Sequence, residues 1–144
     1  MDKELKKEII LENWEHPFNK DDSFNGDDYI KINSNSPSCI DNVDIFFKIE
    51  NNKITDCYFK GEACVISTSS TSILLKKLIG KDINEVKNIL INYQNMINEK
   101  DYDKNLLGEL LCFDDIYLKP NRVGCALIPA RAIDNLLKEL ENVN

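Results

Sequence analysis

One run of the chain limits the fold more than any other. Val43, Ile45, Phe47 and Ile49 alternate with Asp44, Phe46 and Lys48, the pattern breaks at Glu50-Asn51-Asn52-Lys53, and it resumes from Ile54 to Phe59. Side chains that change face at every residue belong to extended strands, so two such runs around a polar turn predict a β-hairpin. Directly after the hairpin the apolar spacing changes. Ile66, Ile73, Leu74 and Leu78 fall at helical offsets until Gly80. Asp82 and Glu85 then have capping-box spacing, and Ile83, Val86, Leu90, Tyr93 and Ile97 mark one face of a second helix. A hairpin followed by helices predicts an α+β fold, a small antiparallel sheet of about three strands packed against several α-helices.

The remaining segments fill in this outline. Leu5, Ile9 and Ile10 predict an N-terminal helix over residues 2–14, ended by Pro17, Asn19 and Asp21-Asp22. Tyr29-Ile30-Lys31-Ile32 reads as an edge strand, and Asn33 to Ser38 is a dense turn signal that leaves Cys39 on a loop. Asn98 to Asn105 reads as a loop, Leu106 to Leu111 as a short helix and Lys119-Pro120-Asn121-Arg122 as a turn before Cys125. Pro129 then suits the start of a last helix, with Ile133, Leu136, Leu137 and Leu140 facing inward. With no internal repeat or linker, residues 1–144 are expected to form a single domain, and a chain this long buries roughly 70% of its unfolded surface.

Charge and hydropathy exclude two classes of partner. The 25 acidic residues outnumber the 18 basic ones, the net charge is −7, and no basic stripe is present to neutralise phosphates, so nucleic acid is not an expected ligand. No apolar run approaches the length of a membrane span, and the acidic residues of MDKELKKEIILENWE do not suit a signal peptide. A cytoplasmic location is therefore expected.

The chain carries 5 cysteines, Cys39, Cys57, Cys64, Cys112 and Cys125, and no C-x-x-C. An odd number without an export signal argues for reduced thiols, and any metal site must draw its ligands from distant segments. The one histidine, His16, is far in sequence from every cysteine, which weakens Cys/His arrangements. Cys57 shares a strand face with Phe59 and Cys112 follows Leu110-Leu111, so both read as small buried hydrophobes. Cys39, Cys64 and Cys125 instead lie beside turns, with Cys64 at a helix N-terminus where the macrodipole favours a thiolate. Asp41, at i+2 from Cys39, can point to the same side of an extended segment, although the same residue type also caps turns. A Cys/Asp/Cys/Cys set of this kind would suit zinc.

The same residues carry a family resemblance. Ser36-Pro37-Ser38-Cys39-Ile40-Asp41, Phe59-Lys60-Gly61-Glu62-Ala63-Cys64 and Arg122-Val123-Gly124-Cys125 resemble, in order and context, the SufU/IscU/NifU N-terminal family of iron–sulfur cluster biogenesis proteins. The likeness runs from His16-Pro17-Phe18-Asn19 through Ser67 to Ser72 and Ile79-Gly80-Lys81 to the last helix. The scaffold branch has a histidine directly before the third cysteine, where this chain has Gly124. The Glu99 to Pro120 stretch resembles the insertion of the SufU branch, as does Arg122.

That resemblance implies that Cys39, Asp41, Cys64 and Cys125 bind one zinc ion and that Cys39 accepts persulfide sulfur from a SufS-type cysteine desulfurase. Downstream, an iron–sulfur scaffold or apo-protein would receive the sulfur. The alternative implied by the scaffold branch is assembly of a [2Fe–2S] cluster on the same cysteines. Arg122 either adds a cationic group near Cys125 or serves as a surface cation or a structural ion-pair partner. Two positions depart from the family pattern, with Ile40 and Ala63 where glycines are usual. Ile40 does not easily reach a glycine's left-handed backbone, which bears on how Cys39 is presented.

Overall fold

The computed structural model describes residues 1–35 and 41–143. In chain order it contains α1 (Lys3–Glu15), β1 (Ile30–Asn35), β2 (Asn42–Glu50), β3 (Lys53–Glu62), α2 (Val65–Leu78), α3 (Ile83–Ile97) and α4 (Pro120–Val143), with three short 3-10 turns between α3 and α4. The strands form one antiparallel sheet in the order β1-β2-β3, as the α+β reading expects. Among the described residues no helix is long and apolar enough to cross a membrane.

Local chemistry explains the hairpin. Glu50 pairs with Lys53, leaving Asn51 and Asn52 as a two-residue turn at φ 52° and 64°. Asparagine tolerates this left-handed region better than most residues, and such a turn matches the twist of the flanking strands. Alternation then sends Val43, Ile45, Phe47, Ile54, Cys57 and Phe59 into the core. On the other face Phe24 stacks on Tyr58, with ring centroids 4.3 Å apart, and meets Phe46 edge-on.

The helix behind the sheet has an unusual lining. Ser67, Thr68, Ser69, Ser70, Thr71 and Ser72 of α2 are all buried. Several of their hydroxyls return to the helix itself: Ser69 Oγ donates to the Val65 carbonyl at 2.7 Å, and Thr71 Oγ1 to the Ser67 carbonyl at 2.7 Å. Buried hydroxyls satisfied in this way avoid a desolvation penalty, and their small size lets α1 and α4 pack closely on α2. Ser72 Oγ donates to Asn13 Oδ1 at 2.8 Å and accepts from the Phe18 N–H at 2.8 Å, fastening α1 and the loop after it.

Three local expectations need correction. First, the edge strand runs to Asn35 rather than ending at Ile32, because Asn33, Ser34 and Asn35 pair with Asp44, Val43 and Asn42 and override their turn preference. Second, the segment before α4 folds as 3-10 turns at Lys104–Leu106, Gly108–Phe113 and Ile116–Leu118 rather than as a loop and one helix. Third, α4 starts at Pro120, so Cys125 lies inside the helix and Pro129 sits in its interior instead of opening it. Pro120 takes the opening role, since the first helical residue needs no N–H partner.

Candidate metal centre

Three segments converge where the sheet meets the helix starts. Asp41 immediately precedes β2, whose first residues Asn42 and Val43 pair with Glu62 and Gly61 at the end of β3. Gly61 makes that approach possible: its φ is +120°, and a Cβ there would lie 2.2 Å from the Asn42 carbonyl oxygen. A side chain at this position would therefore push the Asp41 segment away from β3. Two residues after β3, Cys64 caps α2, its Sγ accepting from the Ser67 N–H at 3.4 Å. Cys125 comes from the second turn of α4.

The ligand atoms of Asp41, Cys64 and Cys125 all lie within 4.8 Å of one another. Cys64 Sγ is 3.9 Å from Asp41 Oδ2. Tetrahedral zinc with metal–sulfur bonds of about 2.3 Å and metal–oxygen bonds of about 2.0 Å needs ligand atoms roughly 3.5–3.8 Å apart. The three side chains therefore fit such an ion with small adjustments, and two thiols with one carboxylate suit zinc chemically.

The carboxylate is held in place from within the protein. Asp41 is 2% exposed, its Oδ1 accepts from the Cys64 N–H at 2.7 Å, and its Oδ2 accepts from Ser67 Oγ at 2.5 Å. Ser67 is fully buried, and its hydroxyl also lies 3.2 Å from the Cys125 carbonyl and 3.5 Å from Cys64 Sγ. Sequence removes one of that carbonyl's usual donors. In a regular helix the Cys125 C=O would accept from the N–H of residue 129, but residue 129 is proline and has none.

The other expected site residues fall differently. Cys39 lies outside the described residues, as does Ile40. Arg122, on the first turn of α4, is exposed and forms no ion pair among the described residues. Gly124 is exposed, and a Cβ built there meets nothing within 4 Å. It borders a cleft of about 300 Å³ between β1 and α4 that Ser34, Ile128 and Arg131 also line. Ser67 and Pro129 carry no site role in the sequence reading. The signal for Ser67 was its place three residues after the capping Cys64, where an N-cap side chain meets the helix backbone.

Cys57 and Cys112 sit in the core. Burial, with Asp56 nearby, pushes the Cys57 thiol up to about 12, and its Sγ lies 3.7 Å from the Leu75 carbonyl. Burial, reinforced by Glu109 and Asp114, pushes the Cys112 thiol up as well. His16 is exposed and ends α1, its backbone N–H bonded to the Glu12 carbonyl at 2.8 Å.

Residues 5–120 match the NifU-like N terminal domain. The chain belongs to that family. Its matched span covers all but the first two residues of α1, the sheet, Asp41 and Cys64 and stops short of Cys125. One relative reaches further: the zinc-dependent sulfurtransferase SufU of Bacillus subtilis is 27% identical over 141 residues, 97% of this chain and 94% of that protein. The iron-sulfur cluster assembly scaffold protein IscU of Thermotoga maritima is 28% identical over 103 residues, 72% of each protein. Among solved structures, a candidate iron-sulfur cluster assembly scaffold protein for the SUF system, from Fervidobacterium islandicum AW-1, is similar. It superposes with a TM-score of 0.77 at 29% identity, covering 88% of this chain and 92% of that one. The N-terminal part of a NifU-like protein from Brucella abortus shares the fold, with a TM-score of 0.79 at 17% identity. The SufU/IscU-like resemblance and the α+β fold expected from the sequence are thus both borne out, and the family is one of iron–sulfur cluster assembly.

Proposed function

We propose that this chain is a zinc-dependent acceptor of persulfide sulfur, working with a SufS-type cysteine desulfurase in iron–sulfur cluster biogenesis. The observation that carries the reading is the convergence of Asp41, Cys64 and Cys125 on one point. In this reading Cys39 supplies the fourth ligand and is also the residue that takes up sulfur. When bound, zinc supplies a positive centre that keeps its cysteine ligands deprotonated. The Cys39 thiolate, once released from the ligand set, attacks the terminal sulfur of the desulfurase persulfide. The new S–S bond forms on Cys39, the old one breaks, and the desulfurase cysteine leaves as a thiolate, with no net oxidation. Asp41 and Cys64, tied to each other through the Cys64 N–H, keep the remaining site in shape while Cys39 is away. Sulfur then passes to a downstream scaffold or apo-protein.

The SufU reading is supported by similarity along nearly the whole chain and by Gly124 in place of the scaffold branch's histidine. A second reading, assembly of a [2Fe–2S] cluster on the same residues, draws on the IscU relative. Alanine production by a SufS-type desulfurase, measured with cysteine and reductant while this protein is titrated in zinc-loaded and zinc-stripped forms, separates them. A saturable rise with the zinc form alone is the expected result. Indifference to zinc, together with uptake of iron and sulfide by the stripped form, would move the assignment to the scaffold.

A further inference from the structure

We infer that Ser67 is the positioning residue of the metal centre, acting through Asp41; the inference rests on the metal-binding reading above. A buried carboxylate that must meet an ion in one orientation needs both of its oxygens fixed. Here Oδ1 is fixed by the Cys64 backbone, but Oδ2, the oxygen 3.9 Å from Cys64 Sγ, is fixed by the Ser67 hydroxyl at 2.5 Å. That hydroxyl is fully buried, so water does not substitute for it.

The placement of Ser67 is itself over-determined. Its backbone N–H is engaged by Cys64 Sγ, and its oxygen lies 3.2 Å from the Cys125 carbonyl, four residues before Pro129, which has no N–H to donate. A hydroxyl has one proton and two acceptors here. The short 2.5 Å contact to Asp41 Oδ2 takes the proton. One side chain thus connects all three ligand segments: β2's start through Asp41, α2's start through Cys64 and α4 through Cys125.

Replacement of ligand-orienting partners commonly lowers metal affinity 10–100-fold. The test uses the full chain loaded with zinc, with release followed by a chromogenic chelator for wild type, Ser67→Ala, Asp41→Ala and the double variant. Alanine suits a helix interior, and circular dichroism of each metal-free form checks that the fold is kept. Ser67→Ala should release zinc about tenfold faster or more, and in the Asp41→Ala background the same change should alter release less than twofold. With cobalt(II) in place of zinc, the visible bands of Ser67→Ala should move toward those of Asp41→Ala, a signature that a change in helix stability does not produce.

Equal factors in both backgrounds, or release at the wild-type rate with unchanged cobalt bands, would overturn the positioning role while leaving the metal site standing. A wild-type protein that retains neither zinc nor cobalt would overturn the metal-binding reading itself, and the inference with it.

Discussion

The molecule places the same side chain in two opposite environments. Cys57 and Cys112 are closed inside the core, where burial drives their thiols toward the protonated form. Cys64 and Cys125 stand at the start of α2 and in the second turn of α4, within reach of a carboxylate and of one another. Position in the fold separates them: a strand face and an apolar 3-10 turn bury a thiol among hydrocarbon, whereas the α2 N-cap and the buried side of α4 that faces it bring a thiol beside polar partners. A cysteine's chemistry in this chain is therefore decided by what its thiol faces, since Cys125 is itself buried inside α4 but lies beside Asp41 and Cys64.

The contrast predicts its own largest effect. Cys64→Ala and Cys125→Ala should each abolish stoichiometric zinc retention after gel filtration, while Cys57→Ala and Cys112→Ala should keep it, as read by metal analysis. Zinc lost equally from all four variants would erase the distinction. Alkylation probes the same contrast by rate. At pH 8 a Cys57 thiol with its value at about 12 is thiolate to only about one part in ten thousand. Because the shift is upward, Cys57 should stay unreactive until the solution approaches strongly alkaline pH. Mass spectrometry of the metal-free native chain treated with iodoacetamide should show Cys64 modified at least 100-fold faster than Cys57 or Cys112, with zinc protecting Cys64.

Smaller effects sharpen the picture. Asp41→Ala should weaken zinc binding about 10–100-fold, in a chelator competition, while leaving the helical content intact. A collapsed fold would instead assign Asp41 a mainly structural part, as the acceptor for Cys64 and Ser67. Least affected in function should be Cys57→Ala, which removes a buried sulfur from the core and should cost about 1–2 kcal/mol, or roughly 3–7 °C in melting temperature, without changing zinc content.

Much of this organisation was legible in the sequence because local signals agreed with tertiary demands. The period-two run around Asn51-Asn52 wrote the hairpin, and Asp82 with Glu85 marked the start of α3, where Asp82 does cap the helix at 2.9 Å from the Glu85 N–H. The separation of Cys57 and Cys112 from Cys64 was also readable, from apolar neighbours alone. Less was readable near α4. Two prolines nine residues apart offered two helix starts, and it is in the packed structure, with α4 against α2, α3 and β1, that Pro120 opens the helix while Pro129 is accommodated inside it. Ser67 was hidden for a related reason: a serine in a run of hydroxyl residues gains meaning only when Asp41 and Cys125 arrive from segments 26 and 58 residues away.

X-ray absorption at the zinc edge of the zinc-loaded protein counts and identifies the donor atoms, and the reading predicts three sulfurs at about 2.3 Å, from Cys39, Cys64 and Cys125, with one oxygen at about 2.0 Å from Asp41. In Asp41→Ala the three sulfurs should persist. A four-sulfur shell, which would have to recruit Cys57 or Cys112 from the core, or a shell without sulfur, would contradict it.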